Sequence, residues 1–214
     1  MKAFIFDMDG TMIDSMPYHL KTWQKLLEEH GLSMDLPDIQ RQLYGTNAEV
    51  INRFFGEGRF SESEMEAFAD HKEALYREIY APDIQLVAGL EAFIRATHEA
   101  GIPMAIGTSG IMANVEMMLD RCNIRPYFSA IVTADEVKEG KPHPATFLRC
   151  AEKLGIQPDA CIVFEDVPKG AEAAHRAGMK SVIVTTQHTA NEFEHIPSVV
   201  QCIQDFRHIL PSMF

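Results

Sequence analysis

Two aspartates, Asp7 and Asp9, stand one residue apart in the opening run MKAFIFDMDGTMIDS, directly after a short apolar stretch. Like charges this close repel, so the pair asks for a compensating cation. Further along, Thr108 and Ser109 follow a second apolar run, Glu165 and Asp166 follow another, and Lys141 lies in GKPHP. If these runs are parallel strands, the residues just after them collect at the carboxyl edge of a sheet, where α/β proteins bind ligands. Four carboxylates, two hydroxyls and one ammonium gathered there suit a Mg2+ ion and a phosphoryl group. Magnesium takes hard oxygen ligands and is commonly held by one or two carboxylates, with water and phosphate completing its shell. Asp7 and Asp166 can supply those carboxylates. Side-chain alternation along extended backbone puts Asp7 and Asp9 on one side, and Gly10 lets the chain turn away. One carboxylate of such a pair can attack phosphorus while the other carries protons.

The elements that must position these residues are legible as period and punctuation. Five short runs are apolar throughout, as buried parallel strands are: Ala3–Phe6, Pro103–Gly107, Ala130–Thr133, Cys161–Phe164 and Ser181–Val184. From Leu90 onward they alternate with segments of helical period such as LEAFIRATHEAG and PATFLRCAEKLG, each closing on a glycine suited to a helix end. Strand and helix in alternation imply an α/β fold with a doubly wound parallel sheet. Between the first two strands, residues 15–82 carry helical patterns only (YHLKTWQKLLEEHG, NAEVINRFFGEG, SESEMEAFADHKEALYREIY), too long for an ordinary crossover. The expected organisation is therefore a core of residues 1–14 and 83–214 with an inserted helical domain at 15–82. The stretch after Thr185 is weakly patterned and reads as either a terminal strand or a helix.

Composition narrows the class. The chain has 214 residues, with 31 acidic against 19 basic side chains and no dense Lys/Arg cluster, which argues against a nucleic-acid partner. The four cysteines, Cys122, Cys150, Cys161 and Cys202, form no C-x-x-C pair and read as reduced thiols. No apolar run reaches the roughly 18 residues a membrane span needs, and no signal-peptide pattern opens the chain. A cytoplasmic protein without a membrane partner is expected. No H-x-x-x-H pair supports zinc. His143, between two prolines, is assigned no chemistry, and the methionines of MANVEMMLD are expected to pack as helix core.

DMDGTMIDS, IGTSG, GKPHP and FEDVPKG, with a helical insert after the first strand, resemble the haloacid dehalogenase (HAD) superfamily of phosphohydrolases, and within it the β-phosphoglucomutase-like branch with a small helical cap. The resemblance covers nearly the whole chain. It implies that Asp7 forms an aspartyl-phosphate, that Asp9 protonates the leaving oxygen and then activates water, and that Thr108 and Ser109 bind phosphoryl oxygens. It further implies that Lys141 neutralises charge on the phosphoryl group and Asp7, and that Mg2+ is held by Asp7, the Asp9 carbonyl oxygen, Asp166 and Glu165. Asp9 opposes dehalogenation, a reaction with no alkoxide leaving group to protonate.

By the same resemblance the cap sets the substrate, through His19, Trp23, Lys72 and the turn Gly45–Thr46–Asn47. A tryptophan there is also an ordinary core residue, and Lys72 an ordinary partner for a neighbouring acid. The chain departs from the mutases at Ala48, where they carry an arginine for a second phosphate, and Val167 replaces a usual serine. The expectation is a monomeric, Mg2+-dependent phosphatase acting on a small phosphorylated metabolite, a sugar phosphate. A β-phosphoglucomutase-type mutase, an inorganic pyrophosphatase and a catalytically silent binding protein are the alternatives.

Overall fold

In a computed structural model that describes residues 2–43 and 46–214, the chain divides into two units, Met1–Asp14 with Ile84–Phe214, and Ser15–Asp83. The first is built on six parallel strands: β1 Ala3–Phe6, β2 Met104–Gly107, β3 Ala130–Val132, β4 Cys161–Glu165, β5 Lys180–Val184 and β6 Val199–Ile203. They lie in the order β3-β2-β1-β4-β5-β6. The chain steps outward from β1 through β2 to β3, then returns to the other side of β1 for β4, β5 and β6. The order therefore reverses at β1 and β4, which pair in register from Ala3↔Cys161 to Phe6↔Phe164. Such a reversal opens a crevice beyond the carboxyl ends of those two strands.

β1, β2 and β4 are buried along their whole length, which is why they read as continuous apolar runs. Successive side chains still divide between two faces. Ala3, Ile5 and Val163 join Phe147 of α7 (Ala145–Leu154) and Ala173 of α8 (Pro168–Arg176) in one core. Phe4, Phe6 and Phe164 point the other way and meet Phe93 of α5 (Leu90–Glu99); the Phe6 and Phe164 rings stack at 4.7 Å. The remaining helix of this unit, α6 (Met112–Cys122), buries Val115, Met118 and Leu119.

β6 resolves the open reading of the C-terminal stretch in favour of a strand. It lies at the sheet edge, Val200 is half exposed and only Ile203 is fully buried, so its sequence carries neither a continuous apolar run nor clean alternation. The register slips between Ser181 and Val182 where it joins β5.

The second unit is helical: α1 Met16–Glu29, α2 Leu36–Gln40, α3 Asn47–Phe55 and α4 Glu62–Tyr80. Thr46 with Glu49 and Ser61 with Glu64 form capping boxes that start α3 and α4. Trp23, Leu26, Leu27, Ile39, Val50, Ile51, Phe68 and Leu75 fill its core. Each of these apolar side chains contributes about 1.5–3 kcal/mol by leaving water. In the α/β unit, the segments flanking this insertion are tied to each other by an antiparallel bridge between Ile13 and Leu86 and by the Val87 N–H donating to the Met12 carbonyl at 2.8 Å. Among the described residues, no helix is long and apolar enough to cross a membrane.

Candidate active site

Asp7 follows β1 at its centre in the sheet, and its N–H continues the ladder by donating to the Phe164 carbonyl at 2.9 Å. Glu165 closes β4 and Asp166 comes next, so the strand reversal brings three carboxylates together across the crevice. One oxygen from each of Asp7, Glu165 and Asp166 lies within 4.8 Å of the others, and all three residues are buried. Lys141, on the loop between β3 and α7, reaches into this group. Its Nζ donates to Asp7 Oδ1 at 2.5 Å and to Glu165 Oε1 at 2.6 Å.

Three buried carboxylates against one ammonium leave uncompensated negative charge. Burial disfavours the ionised form and raises Asp7 to about 7; Lys141 opposes this, while Glu165 and Asp9 add to it. Asp166 is raised to about 9, again chiefly by burial, then by the charges of Glu165 and Asp7. Lys141 moves the other way from what its burial favours: Asp7 and Glu165 outweigh desolvation and hold the ammonium above its ordinary value. Hard carboxylate oxygens gathered in a buried site with too little positive charge are a donor set that fits a divalent cation.

Two glycines set the spacing. Gly10 has φ +81°, and a Cβ built there would lie 2.0 Å from Asp166 Oδ2. At Gly170, in the first turn of α8, a Cβ would lie 1.8 Å from Glu165 Oε1. The turn permitted by Gly10 thus also lets the Asp7–Thr11 loop approach Asp166, a second reason for glycine that pattern alone does not show. The Glu165 carboxylate is engaged at both oxygens: Lys141 holds Oε1, and the N–H groups of Asp166 and Val167 donate to Oε2 at 2.8 and 2.9 Å. It therefore fixes the ammonium and the 165–167 turn as well as belonging to the acidic cluster.

The other expected residues surround this centre. Thr108 is buried at the end of β2, its N–H donating to the Val132 carbonyl at 3.0 Å and its Oγ1 accepting from the Gly110 N–H at 2.9 Å. A Cβ at Gly110 would be 3.3 Å from Thr108 Oγ1 and 3.6 Å from Asp9 Oδ2, so the second aspartate and the threonine flank one small gap. Asp9 is half-buried and Ser109 exposed. Thr11, to which the sequence reading gave no role, donates its hydroxyl to Asp166 Oδ1 at 3.2 Å. Its place inside DMDGT was the available signal. His143 is exposed and sits 2.7 Å from Glu139, away from the cluster chemistry.

In the helical unit, the His19 ring stacks on Tyr76 at 4.1 Å and its Nδ1 lies 3.4 Å from Lys72 Nζ. Lys72 is buried and pairs with Glu73 at 2.7 Å, and Asn47 Nδ2 donates to the same Glu73 oxygen at 3.0 Å. The pairing of Lys72 with a neighbouring acid is the ordinary role its residue type allowed, and Asn47 of the expected 45–47 turn joins it. Trp23 is 2 % exposed and packs against Phe54 and Phe68 in the helical core, the ordinary packing role its residue type also allowed. Gly45 lies outside the described residues.

The family model for haloacid dehalogenase-like hydrolases matches residues 4–184, from within β1 to the end of β5, and includes every residue of the acidic centre. The chain belongs to the haloacid dehalogenase-like hydrolases. Within this family it is 37% identical over 182 residues to the fructose-1-phosphate phosphatase YqaB of Escherichia coli, an alignment covering 85% of this chain and 95% of that one. It is 32% identical over 206 residues to hexitol phosphatase A of the same organism, covering 95% and 92%. A HAD hydrolase of family IA, variant 3, from Entamoeba histolytica superposes with a TM-score of 0.90 at 28% identity, covering 99% of this chain and 96% of that one. The doubly wound sheet is thus the fold of this hydrolase family, and the motifs that suggested it are the segments that build the acidic centre.

Proposed function

We propose that this HAD hydrolase is a Mg2+-dependent phosphatase that cleaves a small sugar phosphate through an aspartyl-phosphate on Asp7. The observation that carries the reading is the cluster at the β1/β4 crevice: Asp7, Glu165 and Asp166 in mutual reach and buried, with the Lys141 ammonium bridging Asp7 and Glu165 at 2.5 and 2.6 Å. A carboxylate fixed in this way has one oxygen held by Lys141 and the other available to a phosphorus atom. Attack by Asp7 forms its bond to phosphorus as the bond to the substrate's ester oxygen breaks, and Asp9 delivers a proton to that oxygen. In the second half, Asp9 takes a proton from water as the water oxygen bonds to phosphorus and the Asp7 carboxylate leaves. Thr108 and Ser109 orient the phosphoryl oxygens, and Lys141 offsets their charge throughout. Asp7, Asp166, Glu165 and the Asp9 carbonyl would hold Mg2+, which would supply the positive charge that keeps the buried carboxylates ionised and would offset charge on the phosphoryl oxygens.

The helical unit is read as the cap that chooses the substrate, with His19, Lys72 and the 45–47 turn as its contacts. The relatives named for fructose 1-phosphate and hexitol phosphates support a phosphorylated sugar or sugar alcohol. Ala48 stands against a mutase that must grip a second phosphate. The test is phosphate release with Mg2+ over hexose 1- and 6-phosphates, hexitol phosphates, nucleotides, pyrophosphate and an aryl phosphate, with β-glucose 1-phosphate and trace glucose 1,6-bisphosphate assayed for glucose 6-phosphate. Release concentrated on sugar or hexitol monophosphates is expected. Glucose 6-phosphate without phosphate release would make the protein a mutase, preference for pyrophosphate a pyrophosphatase, and no turnover of any compound a binding protein.

A further inference from the structure

The turn that carries Asp7 and Asp9 is held from a strand that contributes none of the residues assigned above. After β5 the chain runs Thr185–Thr186–Gln187. Thr186 Oγ1 donates to the Gly10 carbonyl at 2.5 Å, and Gln187 Nε2 donates to Asp14 Oδ1 at 3.0 Å. This segment is itself anchored: the Thr185 N–H and hydroxyl both donate to the Ile203 carbonyl of β6, at 2.8 and 3.0 Å. On its other side the Gly10 N–H donates to the Ile13 carbonyl at 2.7 Å.

The freedom that lets glycine take a positive φ also leaves the peptide that follows it free to rotate. The Gly10 carbonyl belongs to the peptide linking Gly10 to Thr11, so its direction sets where the Thr11 side chain points. Thr11 donates to Asp166 Oδ1, and the Gly10 backbone lies against Asp166 Oδ2 too closely for any side chain. Fixing this one carbonyl therefore fixes both contacts that aim the Asp166 carboxylate at Asp7.

We propose that Thr186 is a positioning residue whose hydroxyl locks the Gly10–Thr11 peptide and, through Thr11 and the close approach at Gly10, holds Asp166 in the geometry that binds the divalent cation. The inference rests on the reading of the acidic cluster as a Mg2+ site. Its test is calorimetric titration of metal-free protein with MgCl2, without substrate, for the wild type, Thr186→Val and Thr186→Ser, alongside kcat and KM at saturating Mg2+. Valine keeps the branched shape and removes only the hydroxyl. Thr186→Val is expected to weaken Mg2+ binding and lower kcat by about threefold to tenfold, as loss of one ordinary hydrogen bond does, with KM unchanged. Thr186→Ser should restore both to within about twofold of wild type. Wild-type Mg2+ affinity in Thr186→Val would overturn the proposal, as would Thr186→Ser being as weak as valine, since the hydroxyl would then not be the cause. Failure of the wild type itself to bind Mg2+ would overturn it from beneath, by removing the cation reading. Should Thr186→Val not fold by circular dichroism, the serine variant and Thr11→Val carry the test: Thr11→Val must then show the same loss of Mg2+ affinity, and normal binding there contradicts the proposed chain of contacts.

Discussion

Each unit of the molecule buries a cluster of charge, and the two clusters balance differently. In the α/β unit, Lys141 faces three carboxylates, Asp7, Glu165 and Asp166, all nearly inaccessible. In the helical unit, among the described residues, Lys72 pairs with Glu73 at 2.7 Å with side chains 5% and 10% exposed, and Asn47 adds a neutral donor to the same oxygen. A buried pair of opposite charges offsets its own charge, and here one carboxylate oxygen takes both the ammonium and the Asn47 amide. A buried cluster with excess charge has to take up protons or a cation, and Asp7 and Asp166 are raised accordingly. Burial of charge alone therefore does not mark a catalytic centre; the unbalanced remainder does.

The largest expected effect separates the clusters by chemistry. Asp7→Asn should lower turnover by more than about a thousandfold, the scale of removing a covalent nucleophile, while thermal melting stays at or above the wild-type value because an unfavourable buried charge is gone. Steady-state kinetics and a melting curve check both parts.

The next effect falls on stability. Glu73→Ala strands the Lys72 ammonium in the interior and should destabilise the protein by about 3–5 kcal/mol in urea unfolding. Replacing both partners together, as Lys72→Met with Glu73→Leu, should recover most of that loss, because an apolar pair of similar volume avoids desolvating two ions. If the double replacement were as unstable as the single one, the self-contained view of this pair would fail.

A smaller effect follows from protonation. Carboxyls whose folded pKa lies above the unfolded value of about 4 bind protons more tightly when folded. Below that pH both states are protonated and no penalty arises. As pH rises toward the raised values of about 7 for Asp7 and about 9 for Asp166, the folded state must hold protons that the unfolded state has released, so stability falls across this window. With a chelator present, the melting temperature attributable to these groups should decline from about pH 4 to about pH 9. Saturating Mg2+ should flatten the decline, adding about 2.7 kcal/mol at a hundred times its dissociation constant. A metal-free profile that rises over the same range would contradict the charge imbalance.

What the sequence disclosed follows from the same physics. Asp7, Lys141, Glu165 and Asp166 were legible because each follows or lies between apolar runs, and in a parallel sheet strand ends converge. β1, β2 and β4, buried along their whole length, were legible for the same reason, and β3 and β5 because they bury most of their residues, whereas β6 exposes Val200 and loses its pattern. Thr11 and Thr186 were not, since threonine is common in loops and their partners lie 155 and 176 residues away in the chain. Trp23 shows the converse: its residue type and place after the first motif allowed both ligand contact and core packing, and pattern alone did not show that it belongs to the helical core.

The central claim is that the unbalanced cluster exists to form a phosphoryl bond at Asp7. The most direct measurement is acid-quenched peptide mass spectrometry of Asp9→Asn mixed with Mg2+ and the best substrate of the phosphate-release panel. With the second aspartate unable to activate water, a phosphoryl adduct should accumulate on the peptide containing Asp7 and vanish on treatment with hydroxylamine. An adduct on another residue, or none while Asp7→Asn still releases phosphate at the wild-type rate, would contradict the account.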